Sequence, residues 1–268
     1  MDITRFYDIE GEKPLDNLVT NGGYCGIFRT IVCIGDSLSS GELESFENGE
    51  IGYHDFYEYS WGQFMARDIG CKVYNCSKGG LTAKTYLEDF AEDRGFFGDE
   101  YKAQAYIIAL GVNDASRIMD KEMEFGSLED INLEDYTKNA DTFVGNYAKL
   151  VCRYKEMQPK AKFFFITPPH NGKNDERVMI YDKMQEVLYK LAEMLDYCYV
   201  IDLRKYSPVN NEEYKKRFYL GKHLNPMGYR FVALMIESYI DYIIRHNFEH
   251  FKQVGFIGQP FCDEREIW

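Results

Sequence analysis

Thr30-Ile31-Val32-Cys33-Ile34-Gly35-Asp36-Ser37-Leu38-Ser39 is the stretch on which the reading of this chain turns. Ile31 to Ile34 run straight into Gly-Asp-Ser. A short apolar run rich in β-branched residues and bounded by a turn signal reads as a buried strand. In open α/β sheets, ligands bind beyond the carboxyl ends of the strands, so Ser37 falls where chemistry is found. Asp-Ser after a strand is also ordinary turn chemistry. The stretch alone leaves both readings open.

Working outward, the same pattern recurs. Cys71-Lys72-Val73-Tyr74-Asn75 is a short strand ahead of the turn Lys78-Gly79-Gly80. Tyr106-Ile107-Ile108-Ala109-Leu110 is a third strand, ending in Gly111-Val112-Asn113-Asp114. A fourth covers 162–166 and stops at Pro168-Pro169; Tyr199-Val200-Ile201-Asp202-Leu203 is the fifth. Helices fall between them. Ser60-x-x-Gln63 is a capping box ahead of Trp61, Phe64, Met65 and Ile69, and Gly70 closes that helix. A second helix is expected over about 82–92. A long amphipathic one runs from Tyr136 through Phe143, Tyr147, Leu150 and Tyr154, and another is marked by Val178, Met184, Leu188 and Leu195. Asn225-Pro226 opens the last, with Asn as cap and Pro in the first turn.

Residues 38–57, polar and then aromatic, receive no element. Residues 115–135 are charged without a clear period and read as a long loop over the strand ends. Five alternations of strand and helix, with strands rich in Val, Ile and Phe, argue a five-stranded parallel sheet covered on both faces, a three-layer α/β/α sandwich. One domain is expected over 1–268. Its core spans about 30–245, with 1–29 as an arm and 247–268 as an irregular aromatic tail.

The 268 residues suffice for one large α/β domain, and 45% apolar with 28% charged content is that of a soluble globular protein. A net charge of −13 repels polyanions, so no nucleic-acid partner is expected. Apolar runs such as Phe163-Phe164-Phe165-Ile166 are strand-length, far short of the ~20 residues that cross a bilayer, so no membrane association is expected. The opening residues carry neither a basic nor an apolar leader segment, and a cytoplasmic location is expected. Seven cysteines, scattered and never spaced Cys-x-x-Cys, read as reduced, mostly buried thiols rather than disulfides or a zinc site.

The strand ends carry an inventory for acyl transfer: Ser37, Gly79-Gly80, Asn113 and, in the loop before the last helix, His223. A serine attacking an ester must pass its proton to an imidazole. The tetrahedral oxyanion then needs preorganised donors, which a glycine N–H and an Asn amide supply. Gly35-Asp36-Ser37-Leu38, Gly80, Gly111-Val112-Asn113-Asp114 and His223 in His-Leu-Asn-Pro-Met-Gly resemble, in order and spacing, the four blocks of the SGNH (GDSL-type) serine esterase superfamily over roughly 30–245. The resemblance implies a flavodoxin-like sheet of order 2-1-3-4-5. It implies Ser37 as nucleophile and His223 as general base. The oxyanion hole would be the N–H groups of Ser37 and Gly80 with the Asn113 side chain. It also implies hydrolysis of esters, thioesters or carbohydrate O-acetyl groups without metal or other cofactor.

One position departs from the pattern. The family usually has Asp three residues before the histidine; Leu220 stands there. Three readings follow. A backbone carbonyl near Leu220 or Gly221 accepts the Nδ1 proton; Asp202, at the end of the fifth strand, reaches the imidazole; or the enzyme is weak or inactive. The carbonyl is preferred because it needs only local backbone. His170, after the fourth strand, and Tyr53 and Tyr57, in the aromatic stretch 53–61, are candidate substrate contacts. His54 has no second ligand spaced with it for a metal, and His246 and His250, four apart around Glu249, read as histidines near a helix C-terminus rather than as a metal pair. Asp114 is expected to cap the next segment. The expected substrate is a small ester, foremost an O-acetyl group on a carbohydrate. An acyl-chain lipase or thioesterase, and a non-catalytic carbohydrate-binding relative, are the alternatives. The oligomeric state is left open.

Overall fold

Thr30–Gly35 form strand β1 at the centre of a sheet, in a computed structural model that describes residues 2–4, 7, 9–173 and 175–265. The chain then forms α1 (Ser37–Ser40), β2 (Glu42–Glu47), β3 (Glu50–Asp55), α2 (Trp61–Ile69) and β4 (Lys72–Ser77). Next come α3 (Ala83–Thr85), a π-helical turn Tyr86–Phe90, α4 (Ala91–Asp93), β5 (Ala105–Ala109) and α5 (Val112–Met119). The second half holds α6 (Phe143–Met157), β6 (Lys162–Ile166), α7 (Glu176–Met194), β7 (Cys198–Ile201), α8 (Leu203–Tyr206) and α9 (Glu212–Phe218). A two-residue pair, β8 (Tyr219–Leu220) with β9 (His223–Leu224), precedes α10 (Pro226–Arg245) and α11 (Phe248–Phe251).

The main sheet is parallel with order β4-β1-β5-β6-β7, which is the expected 2-1-3-4-5. Alternation along each strand divides the core. Val32, Ile34, Tyr106, Ile108, Phe163 and Phe165 pack on one face with α6 and α7. Ile31, Cys33, Ile107, Phe164, Ile166 and Ile201 pack on the other with α2 and α10. Both faces being dry, the strands read as unbroken apolar runs. Phe163, Phe164 and Phe165 are wholly buried, each worth roughly 1.5–3 kcal/mol.

Local chemistry sets the boundaries. Ser60 accepts from Gln63 N–H at the start of α2, and Gly70 ends it with φ of +67°. Asn225 accepts from Gly228 N–H, with Pro226 in the first turn of α10. The arm and the tail belong to the α10 face. Glu12 pairs with Arg245 at 2.6 Å, Asp241 accepts from Tyr24 N–H at 2.7 Å, and Phe251, Val254 and Ile257 are buried. All seven cysteines are free thiols. Among the described residues no helix is long and apolar enough to cross a membrane.

Four expectations are corrected. Residues 112–119 form α5 rather than opening a long loop, because the Gly111 turn leads directly into a helical turn whose Ala115 N–H bonds to the Gly111 carbonyl. The helix expected from Tyr136 begins at Phe143, where Thr142 accepts from Gly145 N–H. The single helix over 82–92 is three pieces joined by the π turn. Residues 42–55 form a β-hairpin. Its signal is in the sequence: Asn48-Gly49, both at positive φ, is the pair that closes a two-residue hairpin loop.

Glu237 on α10 gives the fold a pH dependence. Its side chain is buried and neither oxygen meets a hydrogen-bond donor among the described residues. Burial first, then the Asp68 carboxylate, pushes its carboxyl up to about 8. An unfolded chain gives up this proton near ~4.3, whereas the fold keeps it to about 8. The stability gained by holding it is therefore full at acid pH and is lost as pH rises through 8. Glu237→Gln is expected to raise the Tm by several degrees at pH 9 and to leave it nearly unchanged at pH 4, as read by thermal denaturation. An equal shift at both pH values would remove titration as the cause.

Candidate active site

The carboxyl end of β1 makes the turn that carries Ser37. Gly35 is required there: a Cβ would lie 2.2 Å from Ser39 Oγ and 3.2 Å from the Ala109 carbonyl. Asp36, buried, caps α1 by accepting from Leu38 N–H at 3.0 Å. Ser37 is the first residue of α1 and half-buried, and an N–H in a first turn has no intrahelical acceptor. The hydrogen bonds that reach Ser37 end on its carbonyl, from the Gly41 N–H, from Ser40 Oγ at 3.3 Å and from Tyr229 OH at 3.0 Å.

The turns after β4 and β5 lock against this one. Gly80 has φ of +80°, a conformation that strains any other side chain. Asp114, at the start of α5, is buried and accepts from Ala83 N–H at 2.9 Å, so it caps α3 across space rather than its own segment. Asn113 donates its Nδ2 to the Leu81 carbonyl at 3.1 Å and, more weakly, to Asp36 Oδ2 at 3.4 Å. Its amide thus stands between the residue before Ser37 and the residue after Gly80.

His223 comes from the far end of the sequence. Leu220 pairs with His223 across β8–β9, and Asn225 then starts α10. The imidazole lies between two glutamates of β2: Nδ1 is 2.7 Å from Glu44 Oε1, and Nε2 is 3.0 Å from Glu42 Oε1. Residues two apart on a strand share a face, as do their cross-strand partners Asp55 and Tyr53. The Tyr53 ring accordingly stands edge-on to the imidazole, with centroids 5.8 Å apart. Tyr229 OH, on α10, bonds to the Ser37 carbonyl and, at 2.8 Å, to that of Glu42. One tyrosine therefore ties the Ser37 turn, the hairpin and the last helix together.

The site is strongly acidic. Burial pushes the Asp36 carboxyl up to about 7, the Leu38 N–H opposing and the Asp114 and Glu42 charges adding to it. Burial likewise pushes Asp114 up to about 6. Glu42 is held above the usual carboxylate range by burial, with the imidazole of His223 pulling the other way.

The residues named from sequence are thus placed as follows. Ser37, Gly80, Asn113 and His223 are linked through Asp36, Leu81, Tyr229 and Glu42. Asp202 does not reach the imidazole. It is wholly buried as the cap of α8 and accepts from Thr167, Gln185, Tyr189 and Lys205 N–H, so its acceptor capacity is spent. Nor does a carbonyl near Leu220 hold Nδ1; Glu44 does. Tyr57 is turned away, its OH donating to the Val73 carbonyl at 2.9 Å. His170 closes its own turn, Nδ1 accepting from Gly172 N–H at 2.9 Å. His54 bonds Ser45 across the hairpin, and His250 bonds Tyr199. Glu42 and Glu44 were missed from sequence. Their alternation before Asn48-Gly49 puts them on one face, but nothing local says what that face covers.

The model of the GDSL-like lipase/acylhydrolase family matches residues 31–236. The chain belongs to that family, and it is a hydrolase acting on ester bonds. Solved structures share its fold. A family two carbohydrate esterase from Clostridium thermocellum, in complex with cellohexaose, superposes with a TM-score of 0.57 at 17% identity, over 83% of this chain and 65% of that one. A protein from Lactobacillus plantarum gives 0.60 at 16%, covering 80% and 97%. The acetyl xylan esterase AlAXEase gives 0.52 at 19%, covering 78% and 98%. A search of curated proteins finds no match.

Proposed function

We propose that this esterase removes acetyl groups from a carbohydrate, with Ser37 as nucleophile and His223 as base. The observation that carries the proposal is the junction at the end of β1, where Ser37, the Gly80 turn, the Asn113 amide and the His223 loop meet. Ser37 Oγ attacks the ester carbonyl while its proton passes to His223 Nε2. The oxyanion is received by the N–H groups of Ser37 and Gly80 and by Asn113 Nδ2. His223 returns the proton to the departing sugar oxygen, and water repeats the sequence to release acetate.

Two observations support a small acyl group on a sugar. A cavity of ≈ 70 Å³ lies beside the nucleophile turn, lined by Leu38, Ala109, Leu110, Ile166 and Pro168 among others. Its apolar lining suits the acyl part of an ester. Tyr53 is half-exposed beside His223 and offers an aromatic edge and face at the mouth. Its neighbours Phe46 and Ile51, paired on the same hairpin face, extend that surface. The cellohexaose held by the Clostridium thermocellum esterase and the acetyl xylan for which AlAXEase is named agree with this chemistry.

Fluorophosphonate labelling mapped to Ser37, with p-nitrophenyl acetate cleaved faster than the octanoate ester, tests the proposal. No label at Ser37 would favour a non-catalytic carbohydrate-binding relative, a reading to which the contact of Glu42 with Nε2 lends weight. Faster octanoate cleavage would favour a lipase. Tyr53→Ala is expected to raise KM for an acetylated xylo-oligosaccharide about fivefold, with a smaller change in kcat, since ring stacking is worth ~1 kcal/mol. Steady-state kinetics on that substrate checks it.

A further inference from the structure

We infer that Glu44 positions His223, a carboxylate delivered by the β2–β3 hairpin in place of one three residues before the histidine. The inference rests on the Ser37–His223 reading. Leu220 and His223 are direct partners across β8–β9, so side chains at these positions are neighbours. A carboxylate at 220 would stand beside the imidazole; the chain has an exposed leucine there. The hairpin fills the role from the opposite side. Glu44 Oε1 lies 2.7 Å from His223 Nδ1 and accepts from Lys222 N–H, also at 2.7 Å. Two donors from one loop converge on a single oxygen, and the Glu44 side chain is only 7% exposed. Gly221 makes the approach possible. It sits at φ +68°, and a Cβ there would lie 1.9 Å from Glu44 Oε2.

Glu42 meets the other nitrogen but does not fit this role. Its second oxygen presses on Gly79, where a Cβ would come within 2.2 Å of it. Gly79 precedes Gly80, so Glu42 lies against the turn that carries the Gly80 N–H. Glu44 lies at the opposite nitrogen. An ionised carboxylate can only accept, so Glu44 keeps the proton on Nδ1; Nε2 takes the one from Ser37 once Glu42 Oε1 has left its side. When the Ser37 Oγ–acyl bond forms, Nε2 gains the serine proton, Nδ1 keeps its own, and the Glu44 charge stabilises the imidazolium without taking a proton. The proton on Nε2 then leaves with the sugar alkoxide.

The test compares wild type, Glu44→Gln, Glu44→Gln/Leu220→Asp and Ser37→Ala, by kcat and KM on p-nitrophenyl acetate and by proton NMR of the imidazole N–H. Glu44→Gln is expected to lower kcat about a hundredfold or more with KM little changed, and to lose the downfield Nδ1–H signal of the wild type. Restoring a carboxylate at 220 is expected to recover about tenfold or more of that loss. A merely structural glutamate would not be rescued from another strand. Glu44→Gln at wild-type kcat, beside a dead Ser37→Ala, overturns the role of Glu44 and leaves the esterase reading standing. No recovery in the double variant also overturns it. Wild type and Ser37→Ala at equal rates overturn the esterase reading instead. In that case the NMR signal decides for Glu44 if it depends on that residue and against it otherwise. If Glu44→Gln does not fold, Glu44→Asp takes its place, and an unchanged kcat and signal overturn the inference.

Discussion

Ser37→Ala is expected to lower turnover of p-nitrophenyl acetate by roughly 10⁴-fold or more while leaving the fold intact. The magnitude follows from losing the covalent route: without Oγ the base has nothing to deprotonate in line with the acyl carbon, and only binding and the oxyanion donors remain. The second half of the expectation comes from the bonds at this position. Those that reach Ser37 from Ser40 and Tyr229 end on its backbone carbonyl, which alanine keeps, and alanine is the better helix former in α1. Thermal unfolding should therefore agree with the wild type within a degree or two. A variant that hydrolyses the ester at the wild-type rate would sink the nucleophile assignment. A variant that has merely unfolded would show it in the melt.

Asn113→Ala is expected to cost about 10²–10³ in kcat, with KM little affected, as expected for a donor that meets the oxygen only when it becomes an oxyanion. On that proposal the amide is already held in place. One bond to the Leu81 carbonyl, at 3.1 Å, fixes its plane, and the 3.4 Å contact to Asp36 is long enough for an oxyanion to compete with it. Asn113→Asp keeps the shape but places a carboxylate beside Asp36 and against the developing negative charge. It is expected to be at least as damaging. Steady-state kinetics with a thermal melt separates this from a packing defect: a fall in Tm with kcat within a few-fold of wild type would mean that Asn113 only braces the Leu81 turn.

Much of this architecture was legible because it is local. Runs such as Ile31–Ile34 and Phe163–Ile166 are long enough and apolar enough to be strands buried on both faces, and Ser60, Gly70 and Asn225 mark helix ends by their own backbone chemistry. The pieces missed were those whose shape depends on a distant partner or on an unread turn. The hairpin 42–55 was signalled by Asn48-Gly49, but its strands are polar and largely exposed and carry no apolar alternation. Helix α5 is short and half polar, and what fastens it is the Asp114 bond to Ala83, thirty-one positions earlier in the chain.

The site divides in the same way. The sequence by itself determined the sheet and the turn that carries Ser37, and it singled out Gly80 and Asn113 after strand ends and His223 in the loop before the last helix, because each stands in a short local motif. What holds the histidine was decided only in three dimensions. Asp202 looked available from its place at a strand end, yet four donors in the interior occupy it. Glu44 looked like one charge in an acidic run, yet a polar hairpin folds back over the His223 loop and places its carboxylate at 2.7 Å from Nδ1. A hydrogen bond between residues 179 positions apart leaves no periodicity in either segment. It exists because the Asn48-Gly49 turn, the missing Cβ of Gly221 and the packing of α10 under both loops bring the two together.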